Sequence, residues 1–94
     1  FDLCATVDQP FRDICNQSMG RDAANQAAHD AQGTRTICWL TTDANDQTNC
    51  VIGAVKEIIS YYHAKTQAVA FCNILDEANK ATCNTTADSY YSVF

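Results

Sequence analysis

The chain has 94 residues, six Lys and Arg against eleven Asp and Glu, and a formal charge of −5. That balance disfavours nucleic acid and anionic membrane surfaces as partners, because both require a cationic face. No apolar run approaches the roughly 20 residues needed to span a bilayer, and the length fits one domain, residues 1–94, whose core alone is marginal.

Six cysteines offset that weakness: Cys4, Cys15, Cys38, Cys50, Cys72 and Cys83. Their even number, the lack of a CxxC pair and the presence of only two histidines favour disulfides over a metal site. No metal or cofactor is expected. The chain starts at Phe1 with no hydrophobic leader, as a mature secreted chain would. Asn16-Gln17-Ser18 and Asn84-Thr85-Thr86 are candidate glycosylation sequons and point the same way.

Residues 1–5 lead in, and Thr6-Val7-Asp8-Gln9 has the form of a capping box with Pro10 in the first turn. A first helix is predicted over 7–18, ended by Gly20. Ala23, Ala24, Ala27, Ala28 and Ala31 then mark a separate small-residue helix over 21–31, stopped by Gly33. Thr36 caps a short helix carrying Ile37 to Leu40, and Thr41–Asp46 is a polar linker.

The most periodic stretch follows. Val51, Ile52, Val55, Ile58, Ile59 and Tyr62 form the apolar stripe of a core-facing helix. Asp46 or Thr48 is its expected N-cap. This central helix is predicted near 48–72, with a bend near His63–Thr66 as the alternative. Helix persists or restarts over 73–83, and 84–94 shows no clear period. No internal repeat is apparent. The expected fold is all-α: a small disulfide-stapled bundle of four to five helices around the central one.

Cys4 and Cys15 are eleven apart, as are Cys72 and Cys83. If both segments were helical and antiparallel, Cys4 would join Cys83 and Cys15 would join Cys72, leaving Cys38 with Cys50. An interleaved scheme is the rival, and spacing does not choose among the 15 pairings six cysteines allow. Whatever the map, reduction alone is expected to loosen or unfold the chain.

His29-Asp30 resembles the His-Asp pair of secreted phospholipases A2, which are also small, helical and disulfide-rich. The resemblance stops at two residues: Ala27 and Ala28 stand where that family has a cysteine, and no glycine-rich calcium loop precedes the pair. No catalytic role is carried over, and His29 and Asp30 read as helix-surface or helix-end residues. His63 reads as a polar surface group. Asp43, Asp46, Asp76 and Glu77 read as capping and solubilising carboxylates. No nucleophile or phosphate-loop motif is present, so the chain reads as a non-enzyme.

Tyr90, Tyr91 and Phe94 are the candidate contact surface. The leading expectation is a secreted, extracellular protein that acts on a protein receptor, as a pheromone-, toxin- or effector-like signal. In physical style it resembles ciliate mating pheromones. The alternative is an extracellular carrier of a small apolar ligand, similar in style only to insect odorant-binding proteins and oomycete elicitins, whose cysteine spacings differ. A large enclosed apolar cavity would favour the carrier; a filled core with exposed aromatics would favour the recognition protein.

Overall fold

The computed structural model describes the backbone of residues 2–93 and the side chains of residues 3–93. Six helices follow one another: α1 (Asp2–Ala5), α2 (Phe11–Gln26), α3 (Ala31–Cys38), α4 (Ala44–Tyr62), α5 (Thr66–Asn73) and α6 (Glu77–Ser92). There is no strand among the described residues. The expected all-α bundle is therefore present, but the helices expected over 7–18 and 21–31 are joined in α2, and Gly33 lies inside α3 where it was expected to stop a helix.

The helices form three hairpins, each a short helix followed by a long one. Cys4 pairs with Cys15, Cys38 with Cys50 and Cys72 with Cys83, so every disulfide closes its own hairpin. The first cysteines of the hairpins recur at intervals of 34 residues, the second at 35 and 33. An aspartate stands seven positions before each second cysteine: Asp8, Asp43 and Asp76. This is an internal repeat, contrary to the sequence reading. Little besides Asp and Cys recurs, so the period is faint in the sequence.

The aspartates explain where the long helices start. Asp43 is the N-cap of α4, and its side chain accepts from the Asp46 amide at 2.9 Å. Asp76 is the N-cap of α6. The Asp8 carbonyl accepts from the Arg12 amide at 3.0 Å, just ahead of α2. The expected caps at Thr6, Asp46 and Thr48 are thus displaced, and Pro10 is the residue that precedes α2.

The long helices also stop alike. Thirteen residues after the second cysteine stand Ala28, at φ 53°, and His63, at φ 55°. Both are left-handed, which ends a right-handed helix. At the end of α2 the His29 amide donates to Ala24 O at 2.7 Å and the Ala28 amide to Asn25 O at 3.1 Å. These are the paired bonds of a Schellman stop, made here without glycine. At the end of α4 the His63 amide donates to Ile59 O at 2.8 Å. The central helix therefore ends at Tyr62 and does not reach Cys72; the bend expected near His63–Thr66 is a full break.

The long helices lie parallel in a row, with α4 in the middle. Gln17 bonds Asn49 at 2.8 Å and His29 meets Glu57 at 3.2 Å, so numbers rise together along α2 and α4. Thr48–Asn79 at 2.8 Å and Ser60–Tyr90 at 3.0 Å set the same direction for α4 and α6. Helices α3 and α5 return the chain. Because α2 and α6 flank α4 without touching each other, the nested Cys4–Cys83 and Cys15–Cys72 pairs have no route to form.

Gly20 does not end a helix; it lies inside α2, buried against α4. A Cβ there would run into the Cys50 carbonyl and stand 2.9 Å from Ala54 N. Gly53 mirrors it on α4: its Cβ would strike the Gln17 carbonyl and stand 2.9 Å from Gln17 Cα. Two glycines thus let two backbones touch. The α2–α4 pair is the most extensive helix contact in the fold.

The core on the other side of α4 is filled by side chains. Val51, Val55, Ile58 and Ile59 pack with Phe71, Leu75 and Ala87, all buried. Full burial of such Val, Ile and Phe side chains contributes about 1.5–3 kcal/mol apiece. The expected spine, residues 50–62, occupies that position.

Candidate functional site

The repeat accounts for a groove as well as for the core. At the position of Gly20, α4 carries Val55; at the position of Gly53, α6 carries Thr86. With side chains where the α2–α4 pair has none, α6 cannot approach α4 as closely. Ile52 and Lys56 on α4, Thr86 and Tyr90 on α6, and Val93 at the end of α6 as its C-cap, line an open hollow of about 380 Å³ between the two helices. The spacings are helical, i and i+4 on α4 and i, i+4 and i+7 on α6, so each set shares one face.

Lys56 and Tyr90 also wall a second hollow of about 440 Å³, with Arg21, Glu57 and Ser60 as its other lining. The two hollows therefore meet at Lys56 and Tyr90. The Lys56 ammonium lies 6.0 Å from the Tyr90 ring centre, and the Tyr90 hydroxyl is 3.0 Å from Ser60 Oγ. One hollow is walled mainly by Ile52, Val93 and the Tyr90 ring; the other is lined by charge.

Of the four cations outside this groove, Arg12, Lys65 and Arg35 are engaged, whereas Lys80 forms no ion pair among the described residues. Arg12 Nε and Nη2 donate to Asp46 at 3.0 and 2.7 Å, and Asn16 Nδ2 donates to the same carboxylate at 3.0 Å. The hydrogen bonds that Arg12 donates to Asp46 raise the Arg12 pKa above its ordinary value. Lys65 meets Asp88 at 2.8 Å, and the Arg35 guanidinium sits 5.1 Å over the Trp39 ring. Arg21 and Lys56 form no ion pair among the described residues.

Next to the charged hollow lies a histidine–tyrosine cluster. The His29 ring stacks on Tyr61 with centroids 3.9 Å apart, and its Nε2 is 3.2 Å from Glu57. Tyr62 meets Tyr61 edge-on at 4.9 Å. His29 is thus a helix-end residue, as expected, but its side chain is largely buried rather than solvated. Sequence held half the signal: Glu57 and Tyr61 are four apart on one helix. The other half, that α2 and α4 run parallel in this register, needed the fold.

The candidate contact residues separate. Tyr90 faces the groove and is half-buried, whereas Tyr91 is 43% exposed. Adjacent helical residues point about 100° apart, which divides them. The segment 84–94, read as aperiodic, is helical to Ser92; Phe94 lies outside the described residues. Tyr61 is 58% exposed and Tyr62 38%, as two neighbours on different faces of one helix would be. His63 is exposed at the end of α4. Asp43 and Asp76 are N-caps, as expected, whereas Asp46, read as a capping or solubilising carboxylate, is buried against Arg12 and Asn16.

The two sequons differ. Asn16 is fully buried, its amide spent on Arg12 O at 3.0 Å and on Asp46. A glycan on that nitrogen is incompatible with this packing. Asn84 is half-buried on α6, donating to Lys80 O at 3.0 Å. No group of three or more potential metal-ligating side chains gathers among the described residues, and no helix is long and apolar enough to cross a membrane. Comparison with protein-family models, curated proteins and solved structures finds no match to this chain.

Proposed function

We propose that the chain is a secreted, non-enzymatic protein that acts in the extracellular space by binding another protein, in the manner of a diffusible signal or effector. The observation that carries this reading is the placement of its aromatic side chains. The core around α4 is filled by aliphatic residues and Phe71, while Tyr61, Tyr62 and Tyr91 stand in solvent. Ser60–Tyr90 ties the C-terminal ends of α4 and α6 together, so these tyrosines share one end of the molecule. Tyrosine at a rigid surface is favoured at binding hot spots because it buries much area while losing little rotamer freedom. Three disulfides, one in each hairpin, hold that surface in place before any partner arrives, which lowers the entropy lost on binding.

Leu3, Phe11, Ile14 and Leu40 are exposed near the opposite end of the long helices. Phe11 is the one aromatic among them, and some apolar exposure is common on protein surfaces. A carrier of apolar ligands needs a chamber that covers its cargo; the hollows beside α6 are open to solvent. The test is binding of the oxidised, labelled protein to intact cells of its source. Saturable binding that is competed by unlabelled protein and abolished by prior protease treatment of the cells is the expected result. Binding that survives proteolysis, or no saturable binding to any cell type of that source, would overturn it.

A further inference from the structure

We infer that the α4–α6 groove is a binding site for a protein segment that presents a carboxylate directly beside an apolar side chain. The inference deepens the recognition reading above by naming the chemistry its partner would show to this surface.

The argument begins with charge. The chain carries −5 overall with only six Lys and Arg, yet Arg21 and Lys56 line one hollow without an ion pair among the described residues. Glu57 is the carboxylate in that lining, and His29 lies 3.2 Å from it. Two cations against one carboxylate suit a single incoming negative charge. A dianion such as a phosphate would meet Glu57 with less compensation. In an acidic protein this is a local inversion of sign, and it sits where the apolar hollow begins.

Lys56 and Tyr90 belong to both hollows. A carboxylate placed at Lys56 therefore has the Tyr90 ring, Ile52 and Val93 within one side-chain length on the other side. At about 380 Å³ the apolar hollow lies at the small end of ligand sites. It takes one large side chain and would leave most of a long alkyl chain in water. Thr85, Thr86 and Ser89 on its α6 wall offer hydroxyl donors and acceptors for a peptide backbone. Those groups favour a protein segment over a lipid. The groove itself exists because Val55 and Thr86 replace the two glycines that close the equivalent gap between α2 and α4.

The test uses the whole oxidised chain, isotopically labelled, and amide shifts in a two-dimensional NMR titration. N-acetyl-phenylalanine is the probe, because it carries one carboxylate beside one aromatic side chain. Its neutral amide and decanoate are the comparison compounds. The acid is expected to shift Lys56, Thr86, Tyr90 and Val93 saturably, with a Kd of about 1 mM. The neutral amide should bind at least about three-fold more weakly, the scale of one exposed ion pair. Lys56→Met should abolish the preference for the acid over the amide. Arg21→Gln should weaken the acid in the same sense, and circular dichroism shows whether each variant is folded.

No saturable shift at ten times the expected Kd, or shifts centred on Leu3 and Phe11, would overturn the site. Equal binding of acid and amide would overturn the role of Arg21 and Lys56. Decanoate binding more tightly than the acid would overturn the protein segment in favour of a lipid. If the probe fails while protease-sensitive cell binding is found, the groove assignment falls and the recognition reading stands.

Discussion

A methyl group at residue 53 should destabilise this protein although the same change usually stabilises a helix. In an exposed helix, Gly→Ala gains about 0.5–1 kcal/mol from the reduced freedom of the unfolded chain. At Gly53 the new Cβ would strike the carbonyl of Gln17, with Gln17 Cα at 2.9 Å. The obstruction is backbone, so no rotamer change relieves it, and α2 must move away from α4. Overpacking in a filled core costs about 1–3 kcal/mol, and an obstacle that cannot rotate belongs at the top of that range. The net loss is about 2 kcal/mol. For a domain of this size it lowers Tm by about 8–12 °C. Gly20→Ala meets the Cys50 carbonyl and should behave alike. Gly33→Ala is the milder comparison: its Cβ would lie 3.0 Å from the Ala27 methyl and 3.3 Å from an Asp30 carboxylate oxygen, so neighbours need give only a few tenths of an ångström. It should stay within about 1 kcal/mol of the parent. Urea unfolding with disulfides intact, followed by circular dichroism, measures all three. A Gly53→Ala protein as stable as the parent would refute the close crossing of α2 and α4.

Proteolysis without reduction should release Cys4 linked to Cys15, Cys38 to Cys50 and Cys72 to Cys83; a peptide joining Cys15 to Cys72 would contradict the three-hairpin arrangement. Replacing Cys4 and Cys15 by alanine removes a loop closure worth about 2–3 kcal/mol. Because α1 contacts only α2, the added amide exchange should be confined to residues 2–15. Asp46→Ala removes one of the two acceptors of the buried Asn16 amide and the partner of Arg12, and should cost about 1–3 kcal/mol by denaturant unfolding; a neutral result would show that water replaces the carboxylate. Intact-mass measurement of folded material from a glycosylating host should show no sugar on Asn16, whose nitrogen is buried, and a glycan there would contradict its packing.

Much of the fold was written in composition and period. The stripe Val51–Tyr62 announced the central helix, because a helix buried on a broad face must repeat its apolar residues at that spacing. The stops were hidden. Gly20 looked like a terminator and proved to be a contact, since glycine serves both needs and only the neighbouring helix decides. Ala28 and His63 end helices in a left-handed conformation that their side chains do not advertise. The nested disulfide scheme failed because it assumed that the outer helices pack together, whereas α4 lies between them.

The candidate site was legible only in part. Tyr90 was singled out for its side chain, and it does line the groove, but its neighbours Lys56, Ile52 and Arg21 carried no sequence signal that joined them. Their meeting depends on the parallel register of three helices, and that register is visible only once the 33–35-residue spacing of Asp and Cys is aligned.

The recognition reading places the partner at the end of the molecule where Tyr61, Tyr62 and Tyr91 are exposed. Binding isotherms on intact source cells, measured for the parent, Tyr91→Ala and Leu3→Ser, test that placement most directly. Loss of an interface tyrosine should weaken binding by at least about ten-fold, while Leu3→Ser, at the far end, should leave the isotherm unchanged. Full binding by Tyr91→Ala together with loss in Leu3→Ser would contradict the account.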